Sequence, residues 1–443
     1  MAGHKILLIA YWFPPAGGIA VQRALSLVRY LPQYDCQVHV LTPRNPPSPV
    51  LDPALLERVP RGVTIHRAWT PMPGSRFRKR VWGWISRGRD ARSQSNQNKS
   101  GRSLLSRLVQ RLLCPDPEVV WVPFATRRAR RIIQEHGIDT VLVTAPPFSA
   151  FLIGNALKRE FPSLRLISDF RDEWLRFFLS TFEFQESGHI RRRAQAIERA
   201  TIEASDVVVT VTPSLVEELR ERYSDHPAGK FLCIPNGYDP AAFADFGPRK
   251  HRGDKVLVTY VGTVYKTTSP RCYFEALDAL PEALRSRIET RFIGRVADEE
   301  KQLLESRRDV QLLGYVPQTE ALRYMEETDY LLLVMRDPTG VTGKIYEYLA
   351  TGKPVLAFSP PGGEVAHTLT ETGGGWCVDP EDGDAIRSCL RAVAGGDLAA
   401  LFRPKRDAIL RYERPRLAGE FAALMRETGP PSPALAAGTA AGD

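Results

Sequence analysis

Residues 336–357 read Arg-Asp-Pro-Thr-Gly-Val-Thr-Gly-Lys-Ile-Tyr-Glu-Tyr-Leu-Ala-Thr-Gly-Lys-Pro-Val-Leu-Ala. The pattern is strand, glycine-bearing loop, short helix, strand. Tyr330–Met335, just before it, is an apolar run long enough for a buried parallel strand. Thr342 reads as the helix N-cap, and Gly352 followed by Pro354 ends the helix. Val355–Phe358 resumes an apolar strand. Loop 337–343 therefore stands at the carboxyl end of one strand and at a helix N-terminus. In a doubly wound sheet, ligands bind there and free backbone N–H groups attract phosphate.

Two side chains extend this reading. Lys344 falls in the first helical turn, within reach of an anion bound there. Glu347 follows one turn later on nearly the same face. A carboxylate can accept two hydrogen bonds from the vicinal hydroxyls of a ribose. Together they suit the fixed parts of a sugar nucleotide, a diphosphate and a ribose. Spacing alone fits an ordinary surface Lys–Glu pair equally well.

Working outward, 443 residues that are 43% hydrophobic can bury two cores of ordinary size. No run of 18 apolar residues occurs, so no spanning helix is expected. The opening apolar stretch is too short for a secretory signal. Six scattered cysteines, without Cys-x-x-Cys, read as single thiols of a reducing cytoplasm. The eight histidines show no ligand spacing along the chain, so no metal is expected.

Lys5–Ala10 reads as the first strand and Ala20–Leu31 as a helix, with Gly17 and Gly18 at the turn where backbone can approach a ligand. Gly-x-Gly-x-x-Gly is absent, which argues against a nicotinamide or flavin dinucleotide. Further strands are expected at 37–41, 63–68, 140–144, 164–168, 206–212 and 231–234, with helices between. Pro147, Phe148 and Ser149 lie in a loop after one of these strands. The cluster Asp169-Phe170-Arg171-Asp172-Glu173-Trp174 follows another. Acids and an arginine at a strand's carboxyl end suit catalytic or hydroxyl-binding work, or a local salt-bridge cluster.

Between Arg76 and Arg111 stand eleven Lys or Arg and one acid, Asp90, with Trp82, Trp84 and several leucines interleaved. Such flanks suit basic amphipathic helices lying on an anionic membrane, or a solvated loop with a few core anchors.

A second alternation starts at Val256, with strands expected at 256–261, 289–293, 309–313, 330–335, 355–358 and 375–378. Gly262, Thr263 and Lys266 follow its first strand, Arg295 its second, and Tyr315 and Val316 its third. Loops after three parallel strands converge on one spot. Residues 408–427 form a last helical pattern, and 429–443, rich in Pro, Ala and Gly, read as disordered. The expected fold class is α/β: two Rossmann-like doubly wound domains, 1–240 and 241–407, facing across a cleft. Helix 408–428 is expected to return to the first domain.

These residues resemble a GT-B glycosyltransferase of the retaining group-1 type (glycosyltransferase family 4). The resemblance spans about residues 4–427 apart from the basic insert 76–112. It rests on the first strand with Gly17-Gly18, on Ile234-Pro-Asn-Gly-Tyr-Asp239, and on Lys344–Pro354. It implies that Glu347 is the second glutamate of a Glu-x7-Glu motif, whose first position is here Thr339. A Gly-Arg phosphate site is here Gly262-Thr263, so Lys266 and Lys344 are expected to carry the diphosphate, with the N–H groups of 342–344, including Gly343. Gly18, Arg295, Tyr315 and Val316 complete the expected donor site. Arg171 occupies a position often held by His, and Asp172 matches the family's Asp. Asp169, Arg171 and Asp172 are the expected catalytic group, and Gly17, Pro147, Phe148 and Ser149 the acceptor side.

What the resemblance implies is transfer of a sugar from a nucleoside diphosphate sugar to a glycan or lipid-linked acceptor. No metal or other cofactor and no nucleic acid are expected. The implied place is cytoplasmic, peripheral on the inner face of the plasma membrane. A GT-B-like nucleotide-sugar epimerase and a non-catalytic basic membrane-binding protein are the alternatives.

Overall fold

The computed structural model describes residues 3–45, 48, 51–71, 113–175, 188–247 and 255–427. The basic insert and the C-terminal tail singled out above lie outside the described residues. The chain divides into two compact units, one reaching Ile234 and resuming at Ala418, the other Pro235–Leu417.

The first unit holds seven strands: β1 His4–Ala10, β2 Cys36–Pro43, β3 Thr64–Ala68, β4 Thr140–Ala145, β5 Arg165–Phe170, β6 Val207–Thr210 and β7 Phe231–Cys233. They pair in the order β3-β2-β1-β4-β5-β6-β7, all parallel. Its helices are α1 Ile19–Tyr30, α2 Val122–His136, α3 Phe151–Glu160, α4 Gly188–Ala204 and α5 Pro213–Arg222. Ile6 to Ala10 are all inaccessible to solvent. This is what a parallel strand covered on both faces demands, and why it reads as an unbroken apolar run.

The second unit holds β8 Val256–Val261, β9 Ile288–Ile293, β10 Val310–Gly314, β11 Tyr330–Val334, β12 Val355–Phe358 and β13 Gly375–Val378. Their order is β10-β9-β8-β11-β12-β13, again parallel. The central strand β11 feeds both faces. Tyr330, Leu332 and Val334 enter one core, while Leu331 and Leu333 enter the other. Its helices include α6 Arg271–Asp278, α7 Glu282–Arg285, α8 Asp298–Glu305, α9 Gln318–Glu327 and α10 Lys344–Ala350.

The strand pattern expected from the sequence is met closely, with two informative departures. β5 runs two residues further than expected, so Asp169 and Phe170 lie within it, paired in register with Thr144 and Ala145 of β4. The last helical pattern is two helices, Arg406–Leu410 and Arg414–Arg426. Pro415 lacks the N–H needed to continue the first of them, and is accepted at the start of the second.

Candidate functional site

In a doubly wound sheet the place for a ligand is where strand order reverses, beyond the carboxyl ends. In the second unit that point lies between β8 and β11. Three loops meet there. Gly262 N–H donates to Ile293 O at 2.7 Å, Val264 N–H to Arg295 O at 2.8 Å, and Gly294 N–H to Gly314 O at 2.7 Å. The expected convergence of the loops after β8, β9 and β10 is therefore built by backbone hydrogen bonds.

Lys344 reaches into this point from α10. Its Nζ donates to the Tyr260 hydroxyl at 2.8 Å and lies 4.4 Å from that ring's centroid. Gly262 makes room for it: a Cβ there would sit 2.3 Å from both Cε and Nζ of Lys344. Gly262 also has φ +138°, a conformation that favours glycine. Gly294 is as restricted, since its Cβ would lie 2.1 Å from Gly262 O. Among the described residues no ion pair reaches the Lys344 ammonium. Burial pushes its pKa down to about 8, against weaker pulls from Tyr265 and Glu347.

Glu347, one turn on, is half-buried. Gln318 Nε2 donates to its Oε1 at 3.4 Å, which is long for a hydrogen bond. Burial raises its pKa, opposed by Arg414 and Lys344. Tyr348 fixes α10 to the end of β8, its hydroxyl accepting from Val261 N at 2.8 Å. The arrangement at the switch point is thus a desolvated cation and a carboxylate with spare acceptor capacity.

Other expected donor residues take different places. Thr263, Lys266 and Arg295 are exposed, and Val316 is half-buried. The Arg295 guanidinium stacks over Tyr315, 5.5 Å from its centroid, and Tyr315 is 66% exposed. Thr342 is not the N-cap. Gly343 is, without a side-chain cap, and Thr342 Oγ1 meets Lys344 N–H only at 3.5 Å. The seven-residue α10 makes a modest dipole, so the Lys344 side chain is the main attraction for an anion. At the missing first glutamate, the Thr339 hydroxyl donates to Asp337 Oδ1 at 3.0 Å, and no carboxylate replaces it at that position.

In the first unit the expected catalytic group is split. Asp169 is wholly buried. Arg23 grips it at both oxygens, at 3.0 and 2.8 Å, and the Thr144 hydroxyl donates to it at 2.7 Å. Its place inside β5 turns it inward, onto Arg23 and Thr144. Arg171 is committed as well. It donates to the carbonyls of Ala145, Ala20 and Pro146 at 3.1, 2.6 and 2.8 Å. It staples α1 to the end of β4. Asp172 is exposed and accepts no hydrogen bond from the described residues. It is the open acid of the cluster.

Pro147, Phe148 and Ser149, expected on the acceptor side, are all buried. Phe148 stacks on Trp174 at 4.5 Å. Ser149 donates through Oγ and N–H to Asp116 at 2.6 and 2.9 Å. Gly17 and Gly18 remain accessible, and Gly18 takes φ +92° at the start of α1.

Sequence reasoning missed Tyr260, Arg23 and the histidines. A tyrosine inside a strand and an arginine inside a helix carry no local mark of their distant partners. The histidines show no ligand spacing along the chain, yet the fold brings His39, His66 and His136 together.

Residues 84–242 match the family described as Glycosyltransferase Family 4, and residues 255–394 match Glycosyl transferases group 1. A glycogen synthase of Mycobacterium tuberculosis is 26% identical over 243 residues, covering 53% of this chain and 55% of that protein. The chain thus spans about half the length of the curated relatives it matches. Sucrose-phosphate synthase from Thermosynechococcus elongatus has a like fold, with TM-score 0.62 and 16% identity over 96% of this chain and 98% of that one. HepE from Anabaena, solved in complex with UDP and glucose, gives TM-score 0.59 and 14% identity over 95% of this chain and 99% of that one.

Proposed function

Since this chain belongs to the glycosyltransferases, carrying family-4 and group-1 domains in a GT-B fold, we propose that it moves a sugar from a nucleoside diphosphate sugar to a glycan or lipid-linked acceptor, with retention. The observation that carries the donor assignment is Lys344: a desolvated cation at the switch point of the second sheet, without an ionic partner among the described residues. Breaking the bond at the anomeric carbon places negative charge on the departing diphosphate. A fixed cation in a water-poor site stabilises that charge more than it stabilises the intact donor. Glu347 accepts the ribose hydroxyls, and Arg295 with Tyr315 offers a stacking face for the base. The HepE complex with UDP and glucose supports a uridine nucleotide.

The acceptor binds the first unit near Gly17, Gly18 and Asp172. Asp172 orients the acceptor hydroxyl, while the departing phosphate takes its proton from the same face. Asp169 and Arg171 hold the scaffold on which Asp172 stands. Lys344 supplies positive charge to the diphosphate, so transfer is expected to persist in EDTA.

The reading is tested by calorimetry with UDP, GDP, ADP and dTDP, followed by NMR of the product's anomeric configuration. One nucleotide is expected to bind, and Glu347→Gln to weaken it roughly tenfold or more, since hydrogen bonds to charged groups contribute about 1.5–3 kcal/mol. Equal, negligible affinity for all four would overturn it.

A membrane-bound acceptor is favoured by a further observation. Trp69, seven positions before the basic segment in the sequence, and Phe124 are 51% and 40% exposed and pack edge to face at 4.9 Å. Exposed aromatics, in a chain that also carries a basic segment, suit an anionic bilayer surface, where cell-surface polysaccharide or glycolipid is built. Co-sedimentation with anionic liposomes, with and without residues 76–112, tests this. Equal binding by both forms would remove the segment as anchor.

A further inference from the structure

His39 stands in β2, His66 beside it in β3, and His136 in the last turn of α2. One ring nitrogen from each lies within 4.8 Å of the others. His39 Nδ1 and His66 Nε2 are 3.0 Å apart. The His136 ring centroid is 4.5 Å from that of His39 and 5.4 Å from that of His66. His39 and His66 are 2% and 7% exposed. Three imidazoles from three separate elements thus meet beneath the sheet surface.

The cluster is not satisfied by its own hydrogen bonds. His39 Nε2 is buried with no partner among the described residues. The mutual hydrogen bond of His39 and His66 thus leaves the buried cluster incompletely paired, an arrangement the three rings can exchange for a shared ion. Neutral imidazole, with a free lone pair, is the form that ligates a metal.

The donor set indicates which ions fit. Two imidazole nitrogens on one tetrahedral Zn²⁺, each at about 2.0–2.1 Å, stand about 3.3 Å apart. The 3.0 Å between His39 Nδ1 and His66 Nε2 is close to that separation, and the His136 nitrogen lies within 4.8 Å of both. An all-imidazole set suits Zn²⁺, Co²⁺, Ni²⁺ or Cu²⁺, whereas Ca²⁺ and Mg²⁺ take oxygen. The carboxyl end of the fifteen-residue α2 adds a favourable potential for a cation at His136. Two neighbours oppose it. Lys5 Nζ donates to His136 O at 2.9 Å, and an Arg128 nitrogen stands 3.4 Å from His66 Nδ1. With a metal on His66 Nε2, Nδ1 carries the proton, and the half-buried Arg128 must turn away.

We propose that His39, His66 and His136 form a binding site for one divalent transition-metal ion of the Zn²⁺ class, tying β2 and β3 to the end of α2. The site is structural. After His136 the chain enters the amino end of β4, so the cluster lies away from the carboxyl-end loops that carry Gly18 and Asp172. Three ligands leave one coordination position for water.

The test uses the full chain, stripped with a chelator and dialysed, with Co²⁺ alone as the first probe. One equivalent is expected to bind, giving the visible absorption of four-coordinate Co²⁺, displaced by Zn²⁺. Zn²⁺ should raise the melting temperature. His136→Gln, at the least buried of the three, should lower Co²⁺ affinity at least tenfold while leaving UDP affinity unchanged. Should a variant fold poorly, the imidazole NMR signals of the wild-type chain decide, since Zn²⁺ should shift those of His39, His66 and His136. No Co²⁺ spectrum, unchanged binding in His136→Gln, or shifts confined to other histidines would each overturn the site.

Discussion

The Lys344 ammonium donates to the Tyr260 hydroxyl at 2.8 Å while lying 4.4 Å from the centre of the same ring. Tyr260 in turn donates to Thr263 O at 2.9 Å. A strand residue thus aims a helix residue's charge at the sheet's switch point and holds it there without neutralising it. A cation kept this way is ready for an anion and costs stability until one arrives.

That cost can be measured. The pKa of Lys344 falls from 10.5 to about 8 on folding. Between those values the unfolded chain holds a proton that the folded chain does not. The penalty therefore accumulates as pH falls through that window and is complete below about pH 8. Lys344→Met should stabilise the nucleotide-free protein at pH 7 by on the order of 1–3 kcal/mol. It should also weaken UDP binding roughly tenfold or more. Thermal melts with and without UDP check both. A less stable variant with unchanged UDP affinity would refute the assignment.

The same group sets a pH dependence for binding. The protonated form attracts diphosphate, so UDP affinity should be level below about pH 8. Above it, affinity should fall by up to tenfold per pH unit, until the pKa of the complex is reached. Calorimetry from pH 6.5 to 9.5 reads this directly. In Lys344→Met the break near pH 8 should vanish.

Gly262 has no room for a side chain. Ala there would meet Lys344 Cε and Nζ at 2.3 Å, on a backbone with φ +138°. Gly262→Ala should displace the ammonium and cost about 1–3 kcal/mol in backbone strain. UDP affinity and urea midpoint should fall together, unlike the opposite movements expected for Lys344→Met.

Arg23 and Asp169 form a buried bidentate pair, with side chains 8% and 0% exposed. Arg23→Ala strands a buried carboxylate and should cost about 3–5 kcal/mol. Adding Asp169→Ala should recover part of that loss. A double-mutant cycle by urea unfolding measures the coupling. A large loss of turnover in Asp169→Asn with unchanged stability would instead restore Asp169 as a catalytic group.

By itself the sequence determined the two parallel sheets and the loops at their carboxyl ends. These follow from local periodicity: apolar runs such as Ile6–Ala10 and Leu331–Val334 must be covered on both faces, and Gly352 with φ +66° must end α10. Lys344 and Glu347 were legible for a related reason, since helical spacing puts both on one face beside a strand end. What each charged group has left to offer was decided by tertiary structure alone. Asp169 and Asp172 look alike three residues apart, yet a strand two residues longer turns the first inward onto Arg23, 146 positions away, and leaves the second in solvent. Ser149 is taken by Asp116, and Lys344 is aimed by Tyr260. His39, His66 and His136 are ligand neighbours only because β2 pairs with β3 and α2 ends beside both. Burial and partnership come from long-range contacts, and no local pattern in the chain encodes them.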